Sequence, residues 1–148
     1  NDACNRYLIF ELDGELYGVC LLDIKEVLKS RPCKPVPYMK EYFLGIINLR
    51  GKIVSVMDLR LKFRKKVYKD KDGYIIIIES DSNLVGVVVD DIINVENIEP
   101  GEIDANPHLE LDFSAEFFIG VGKKNDKLIH LIQLSKCVSK DDMRVFKK

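Results

Sequence analysis

The chain has 148 residues, of which 47% are hydrophobic and 32% charged, and its formal net charge is -1. This length suits one domain or two very small ones, and the composition is typical of a soluble globular protein rather than a disordered one. A charge so near zero gives no electrostatic basis for binding nucleic acid or a membrane surface. The longest apolar runs, 74–78 and 84–89, are far shorter than the ~20 residues of a membrane-spanning helix, so no direct membrane insertion is predicted.

The four cysteines are scattered over apolar stretches, and none forms a C-x-x-C pair: they are Cys4, Cys20, Cys33 and Cys137. Spacing of this kind is not typical of a metal-binding or redox motif. It predicts a protein of the reducing cytoplasm that has no disulfide framework.

In chain order, the first half opens with a β-branched strand, RYLIFEL, then a polar turn, DGE, and a second strand. Short helical pieces are predicted at residues 22–26 and 39–43, before a hairpin with Arg50-Gly51 at its apex. A basic run, residues 62–71, links this half to the next. The second half has the strand GYIIIIES, the turn DSN, a second strand, a proline-containing loop, a closing hairpin and a helical piece at 134–138. Short strands with regular turn signals favour small antiparallel barrels.

The two halves are an internal duplication. LYGVCLLDIKEV at 16–27 resembles LVGVVVDDIINV at 84–95, at an offset of 68 residues. KEYFLGI at 40–46 resembles AEFFIGV at 115–121, at an offset of 75 residues. The difference between the offsets fits a loop that is longer in the second half. We therefore predict two similar barrels that pack through a shared apolar seam.

The duplication provides an internal control for the closing hairpin. If Arg50-Gly51 and Asn125-Asp126 are the two turns, Gly45 faces Val56 and the equivalent Gly120 faces Leu131. The second copy makes its turn from ordinary polar residues, so the barrel itself does not require an arginine there. Arg50 is then either a solvated or locally paired turn residue, or a contact residue whose planar guanidinium suits a carboxylate or a carbonyl. In this register Asp58 faces Phe43, away from Arg50.

Residues that could carry catalysis are scarce. The two histidines, His108 and His130, have no partner at metal-ligand spacing, and there is no G-x-S-x-G elbow. Asp90 and Asp91 are adjacent in a predicted strand and so point to opposite faces. No catalytic residue, metal site or cofactor site is predicted, and a binding module is favoured over an enzyme or a small-ligand barrel.

The hairpin sequence FLGIINLRGKIVSVMDLRLKF resembles the hallmark of the CheW-like domain family, G-[VI]-x-N-L-R-G-x-I-x-P-V-x-D-L-R. The segments YLIFELDGELYGVCLLDIKEV, LVGVVVDDIINV and FFIGVGKKNDKLIHLIQLSKCV are similar to the family's other strands, so the resemblance covers nearly the whole chain. Two positions depart from the pattern. Ser55 stands where many members have proline, and Arg64 stands where glycine is common.

The resemblance implies a mainly β fold of two five-stranded SH3-like barrels related by pseudo-symmetry, with short helices, one of them near the C-terminus. We expect a single CheW-like domain over residues 1–148. Its first barrel would span approximately 14–70 and its second approximately 71–148, possibly with the N-terminal strand.

The resemblance also implies a non-enzymatic adaptor in bacterial chemotaxis. Such an adaptor is cytoplasmic and is recruited to receptor arrays through its partners, the cytoplasmic tip of methyl-accepting chemoreceptors and the regulatory domain of the histidine kinase CheA. Two other settings stay open: a part of a CheV-type adaptor, or a part of the CheA regulatory region. The family's contact positions correspond to Ile24, Glu26, Gly45, Arg50 and Gly51. Four more residues are candidates for an apolar groove between the barrels that a receptor helix could enter: Val27, Val87, Val88 and Val89.

Overall fold

The computed structural model describes residues 4–67, 72–105 and 116–138. Their β-branched and aromatic runs form eleven strands. The strands are β1 Arg6–Leu12, β2 Glu15–Cys20, β3 Ile24–Lys29, β4 Phe43–Leu49, β5 Lys52–Asp58, β6 Tyr74–Ser80, β7 Asn83–Val89, β8 Asp91–Asn97, β9 Ile103–Asp104, β10 Phe118–Lys124 and β11 Lys127–Ile132. Two short helices, α1 Leu59–Lys62 and α2 Leu134–Cys137, and two 3-10 turns, Leu21–Asp23 and Pro100–Glu102, complete the described elements.

The strands form two sheets, which confirms the predicted mainly β fold. The five-stranded sheet has the order β3-β6-β7-β5-β4, and the six-stranded sheet has the order β8-β1-β2-β11-β10-β9. In the described part of the chain the ladder of the five-stranded sheet stays open between its two edge strands, β3 and β4. A single bridge between Lys34 and Ile46 continues the β4 edge into the segment that follows β3.

Each sheet takes a hairpin from the other half of the duplication. Hairpin β1–β2 belongs to the six-stranded sheet, through antiparallel pairing of β1 with β8 and parallel pairing of β2 with β11. Hairpin β6–β7 belongs to the five-stranded sheet, through the same two kinds of pairing with β3 and β5. The two sheets therefore do not coincide with residues 14–70 and 71–148. Strand β2, within 14–70, belongs to the six-stranded sheet, and hairpin β6–β7, within 71–148, belongs to the five-stranded sheet.

The largest apolar cluster lies between the sheets. It combines Phe10 and Tyr17 of the six-stranded sheet with Ile76 and Val87 of the five-stranded sheet. Each sheet also has a smaller apolar cluster of its own, formed by residues of that sheet and of its connecting segments. The predicted shared apolar seam is confirmed, and it fixes how the two halves face each other.

Local structure differs from the prediction in two places, and in the first of them strand pairing overrides helical propensity. Residues 22–26 form a helical turn only as far as Asp23, and β3 begins at Ile24 and pairs with β6. Residues 39–43 form turns rather than a helix, and β4 begins at Phe43. The short helix near the C-terminus is confirmed as α2, and its counterpart α1 was not predicted.

The closing hairpins have the predicted register near their turns. Gly45 faces Val56, and Gly120 faces Leu131. Further along, a register shift after Phe43 pairs that residue with Met57, so the predicted Asp58–Phe43 pair is wrong. The cause is a β-bulge, which places one extra residue in one strand of the pair.

The prediction that no cysteines pair is wrong. Cys4, just before β1, is disulfide-bonded to Cys20, the last residue of β2. The antiparallel pairing of β1 with β2 places Tyr7 opposite Cys20 and so brings the preceding segment near it. Cys33 and Cys137 are not part of this disulfide. Of the helices in the described ranges, none is long and apolar enough to cross a membrane.

Candidate functional site

The turn between β4 and β5 holds an arginine in an unfavourable backbone conformation. Arg50 has φ 51° and Gly51 has φ 86°, both in the left-handed region. The equivalent turn uses Asn125 and Asp126, at φ 51° and 64°. Asparagine and aspartate tolerate this region far better than arginine does. The turn itself therefore does not select Arg50, which points to a role for its side chain.

The Arg50 side chain reaches β3 and makes a two-pronged ion pair with Glu26. Its Nη1 donates to Glu26 Oε2 at 3.2 Å, and its Nη2 donates to Glu26 Oε1. The pair joins the two edges of the five-stranded sheet at the end where no ladder connects them. The Arg50 side chain remains 70% exposed and that of Glu26 29% exposed. Both groups therefore stay accessible to a partner.

The ion pair affects the protonation of both groups. Hydrogen bonding to Arg50 lowers the pKa of Glu26, and hydrogen bonding to Glu26 raises the pKa of Arg50. Because the pKa of Glu26 is lowered on folding, the pair's contribution is present above the ordinary pKa of a glutamate. It is lost as the pH falls through the lowered value.

The ion pair borders a shallow depression of about 600 Å³ at the open end of the five-stranded sheet. Leu49, Ile77 and Leu84 contribute apolar surface to it, and Ile53 stands at its edge with 60% of its surface exposed. Another ion pair, between Lys25 and Glu79 at 3.3 Å, lies on the same lining. A surface that mixes apolar side chains with accessible charges suits contact with a protein.

The other predicted contact residues of the first half differ in accessibility. Val27 points outward from β3 and is 38% exposed, whereas Ile24 is partly buried against the core between the sheets. Gly45 has no room for a side chain, because a Cβ atom would lie 2.1 Å from the carbonyl oxygen of Lys34. Gly51 has open space around it. Glu26, Val27, Arg50 and Gly51 are therefore accessible at the surface, while Gly45 shapes the backbone beneath.

The three valines predicted to line a groove are interior residues. Val87 and Val89 pack in the core between the sheets, and Val88 packs inside the five-stranded sheet. None is more than 1% exposed. The three valines are consecutive residues of β7, so they point alternately to its two faces, and both faces are buried. The lining of a groove would be equally apolar in sequence, and this is why the prediction misplaced them.

The model of the CheW-like domain family matches residues 6–142. The chain belongs to the CheW-like domain family. It is 28% identical over 139 residues to the chemotaxis protein CheW of Klebsiella aerogenes, covering 93% of this chain and 84% of that protein. It is 29% identical over 142 residues to the chemotaxis protein CheW of Helicobacter pylori, covering 95% of this chain and 86% of that protein.

A solved structure agrees with the fold. The crystal structure of the scaffolding protein TtCheW from Thermoanaerobacter tengcongensis matches with a TM-score of 0.84 and 33% identity, and the match covers 97% of this chain and 98% of that one. The family resemblance read from the hairpin motif is thus confirmed over nearly the whole chain.

The two departures from the family pattern have distinct places in this CheW-like domain. Ser55 lies within β5 and is paired on both sides, with Ile46 of β4 and Val85 of β7. Arg64 follows α1 with φ 59°, in the left-handed region that favours glycine. Neither residue is part of the Glu26–Arg50 surface.

The sequence reasoning missed a buried ionic cluster in the D-L-R part of the motif. Arg60 Nε and Nη2 each donate to the Asp58 carboxylate at 2.9 Å, and Arg60 Nη1 donates to Asp90 Oδ1 at 3.0 Å. All three residues are nearly inaccessible. Burial alone lowers the pKa of Arg60, but hydrogen bonds and charge from Asp58 and Asp90 outweigh burial and raise it. Asp58 and Arg60 are both part of the D-L-R motif, but the second partner of Arg60, Asp90, lies 30 residues further along the chain.

Metal-ligand side chains are dispersed over the described residues. These residues contain no group of three or more histidine, cysteine, aspartate or glutamate side chains that could hold a metal ion. His130 is partly buried, with its Nδ1 3.2 Å from the carbonyl oxygen of Leu16 and its ring beside Tyr17. His108 lies outside the described residues.

Proposed function

We propose that this domain is a non-enzymatic adaptor that couples the cytoplasmic tips of chemoreceptors to the regulatory domain of the histidine kinase CheA. The observation that carries the proposal is the Glu26–Arg50 pair. It is accessible, it is built on a backbone conformation that disfavours arginine, and the second copy of the duplication has no equivalent, since Asn94 and Asn125 occupy the matching positions. The names of the similar proteins, a chemotaxis protein and a scaffolding protein, support the same role.

The accessible surface supports protein contact rather than a reaction. The most buried carboxylates of the described residues, Asp58 and Asp90, are both bound to Arg60, so neither is available as a general acid or base. The depression beside Arg50 is open and shallow, unlike the enclosed apolar cavities that hold small ligands.

An adaptor needs two contact surfaces that can be occupied together. We propose that the surface of Glu26, Val27, Arg50 and Gly51 is one of them, with exposed Ile53 beside it. Arginine is enriched among the residues that dominate the binding energy of protein interfaces, and exposed apolar surface lies beside Arg50 at Ile53. The proposed setting is the cytoplasm, where the adaptor would reach membrane receptors only through its partners.

The test is a titration calorimetry series with two partners, a receptor-tip hairpin and a CheA regulatory domain from the same organism. Arg50→Glu is compared with wild type and with Asn125→Glu, which makes the same change at the equivalent turn position. We expect Arg50→Glu to lower the affinity for at least one partner by about tenfold or more. We expect Asn125→Glu to leave both affinities unchanged.

A charge-swapped double variant separates two ways in which Arg50 could act. If Glu26→Arg with Arg50→Glu restores binding, the ion pair itself shapes the contact surface. If it does not, the guanidinium of Arg50 contacts the partner directly. Absence of binding to both partners by the wild-type protein contradicts the adaptor proposal. Equal affinities for wild type and Arg50→Glu remove Arg50 from the contact surface.

A further inference from the structure

The described chain passes from one sheet to the other at two places that the duplication makes equivalent. The first crossover leads from β2 through the 3-10 turn Leu21–Asp23 into β3. The second leads from β7 through Asp90 into β8. Leu22 and Asp90 occupy matching positions at the offset of 68 residues. The same backbone connection is therefore present twice in one molecule, with different side chains to hold it.

The second crossover is held by the buried ionic cluster. The Asp90 carboxylate accepts from Arg60 Nη1 at 3.0 Å and from the backbone N–H of Asp13 at 2.8 Å. The backbone N–H of Asp90 donates to the carbonyl oxygen of Glu11 at 3.0 Å. This crossover is tied to the β1–β2 turn and to the end of β5 by groups that do not react with thiols or disulfides.

The first crossover has none of those charged residues. Gln133, Ser135 and Leu22 replace Asp58, Arg60 and Asp90, and Leu22 is 76% exposed. What stands there instead is the disulfide between Cys4 and Cys20, with Cα atoms 6.0 Å apart. Cys20 is buried and directly precedes the 3-10 turn, while Cys4 is partly accessible to a reagent in solution.

We propose that the Cys4–Cys20 pair is a redox-controlled latch on the crossover that leads into β3. In the reduced protein, the thiolate of Cys4 attacks a small-molecule disulfide such as oxidised glutathione, forms a mixed disulfide and releases one small thiol. The thiolate of Cys20 then attacks the Cys4 sulfur and releases the second small thiol. Two protein thiols lose two electrons, the small disulfide gains them, and the two protons end on the released thiols.

The position of the latch connects it to the contact surface. The crossover runs into Ile24, and two residues later β3 carries Glu26, which binds Arg50. Closing the latch restricts the segment before β3, and opening it releases that restraint while the Asp90 crossover stays fixed. A consequence for partner binding rests on the proposed function, whereas the effect on the crossover does not.

The test follows backbone amide hydrogen exchange in the purified protein with the latch open and closed. Wild type, Cys4→Ser and the control Cys33→Ser, which changes a free thiol elsewhere, are each equilibrated with oxidised or reduced glutathione. We expect amides of residues 21–27 to exchange about tenfold faster after reduction in wild type and Cys33→Ser. We expect the exchange rates of Cys4→Ser not to depend on the redox state. We expect the exchange rate of the Asp90 amide to be the same in every sample.

Thiol counting and peptide mass mapping accompany the exchange measurement. Reaction of fewer than all four cysteines after oxidation, with a linked Cys4–Cys20 peptide, supports the latch. A count of four thiols in oxidised wild type overturns the proposal, as do equal exchange rates at residues 21–27 in both redox states. Titration of the CheA regulatory domain into both states is a separate measurement. If the CheA regulatory domain binds neither redox state, the adaptor proposal fails. The hydrogen-exchange result then still tests the proposal of the latch.

Discussion

Two glycines of the N-L-R-G hairpin were both predicted as contact positions, and their surroundings differ. Gly45 has φ 134° and lies against the backbone of Lys34 and Pro35. Gly51 has φ 86° and nothing within 4 Å of where a Cβ would stand. A loss of binding on substituting Gly45 would therefore reflect damage to the fold, while Gly51 permits a cleaner test of the surface.

A pair of alanine variants measures this difference. Gly45→Ala should lose more than about 2 kcal/mol of unfolding free energy, because a rigid backbone carbonyl blocks the new methyl group. Gly51→Ala should lose only about 1 kcal/mol, the strain of a left-handed alanine. Urea denaturation monitored by circular dichroism checks both values. Similar losses for the two variants would contradict the close approach at Gly45.

Arg64 is the opposite case, because it carries a side chain at a backbone conformation that favours glycine. It is exposed, has φ 59° and follows the last turn of α1. Arg64→Gly should raise the unfolding free energy by about 0.5–1 kcal/mol, because glycine relieves the left-handed strain. Thermal denaturation provides the measurement, with Arg64→Ala as the control that keeps the strain. A lower stability for the glycine variant would mean that the side chain makes a contact worth more than the strain.

At the scale of elements, the cluster of Asp58, Arg60 and Asp90 links the end of β5 to the crossover between β7 and β8. Asp58 also caps α1, since its Oδ1 accepts from the backbone N–H of Arg60 at 2.9 Å. The cluster satisfies its own hydrogen bonds, and no buried side-chain nitrogen or oxygen among the described residues lacks a partner. Its main structural effect is to fix one crossover of the chain.

Removing the arginine alone should lower the free energy of unfolding far more than removing the whole cluster. Arg60→Met leaves two buried carboxylates without their cation and should cost about 3–5 kcal/mol of unfolding free energy. The triple variant Asp58→Asn, Arg60→Met, Asp90→Asn removes all three charges and should regain most of that loss. Equilibrium denaturation in urea distinguishes them. If the triple variant is as unstable as Arg60→Met, the cluster stabilises through its specific hydrogen bonds rather than through charge balance.

At the scale of the whole molecule, the hairpin exchange makes each half of the chain depend on the other. The five-stranded sheet needs β6–β7, and the six-stranded sheet needs β1–β2. The largest core cluster also takes residues from both sheets. One cooperative unit follows from this arrangement, even though the sequence repeats.

Separated halves should therefore fail to fold alone and fold when mixed. Residues 1–70 lack the central hairpin of their sheet, and residues 71–148 lack theirs, so each leaves unpaired strands and an exposed apolar face. Chemical-shift dispersion in proton NMR spectra of each piece and of the equimolar mixture tests this. A well-dispersed spectrum from either isolated piece would contradict the exchanged arrangement.

Sequence reasoning found the features that depend on local pattern. The duplication, the strands, the register of the hairpin turns and the unusual arginine at residue 50 could all be read from the chain. It missed what depends on distant partners. Arg60 meets Asp90 across 30 positions, Arg50 meets Glu26 across 24, and Cys4 meets Cys20 only because β1 and β2 pair.

The mainly β class, the internal repeat and the family membership follow from sequence alone, because alternating side chains and turn residues act over a few positions. Tertiary structure decided which sheet each hairpin joins, since β6 and β7 have the same apolar character whichever neighbours they pair with. It also decided that Val87, Val88 and Val89 are core while Arg50 and Glu26 form an accessible ion pair. Burial is a property of the assembled sheets, and no short stretch of sequence encodes it.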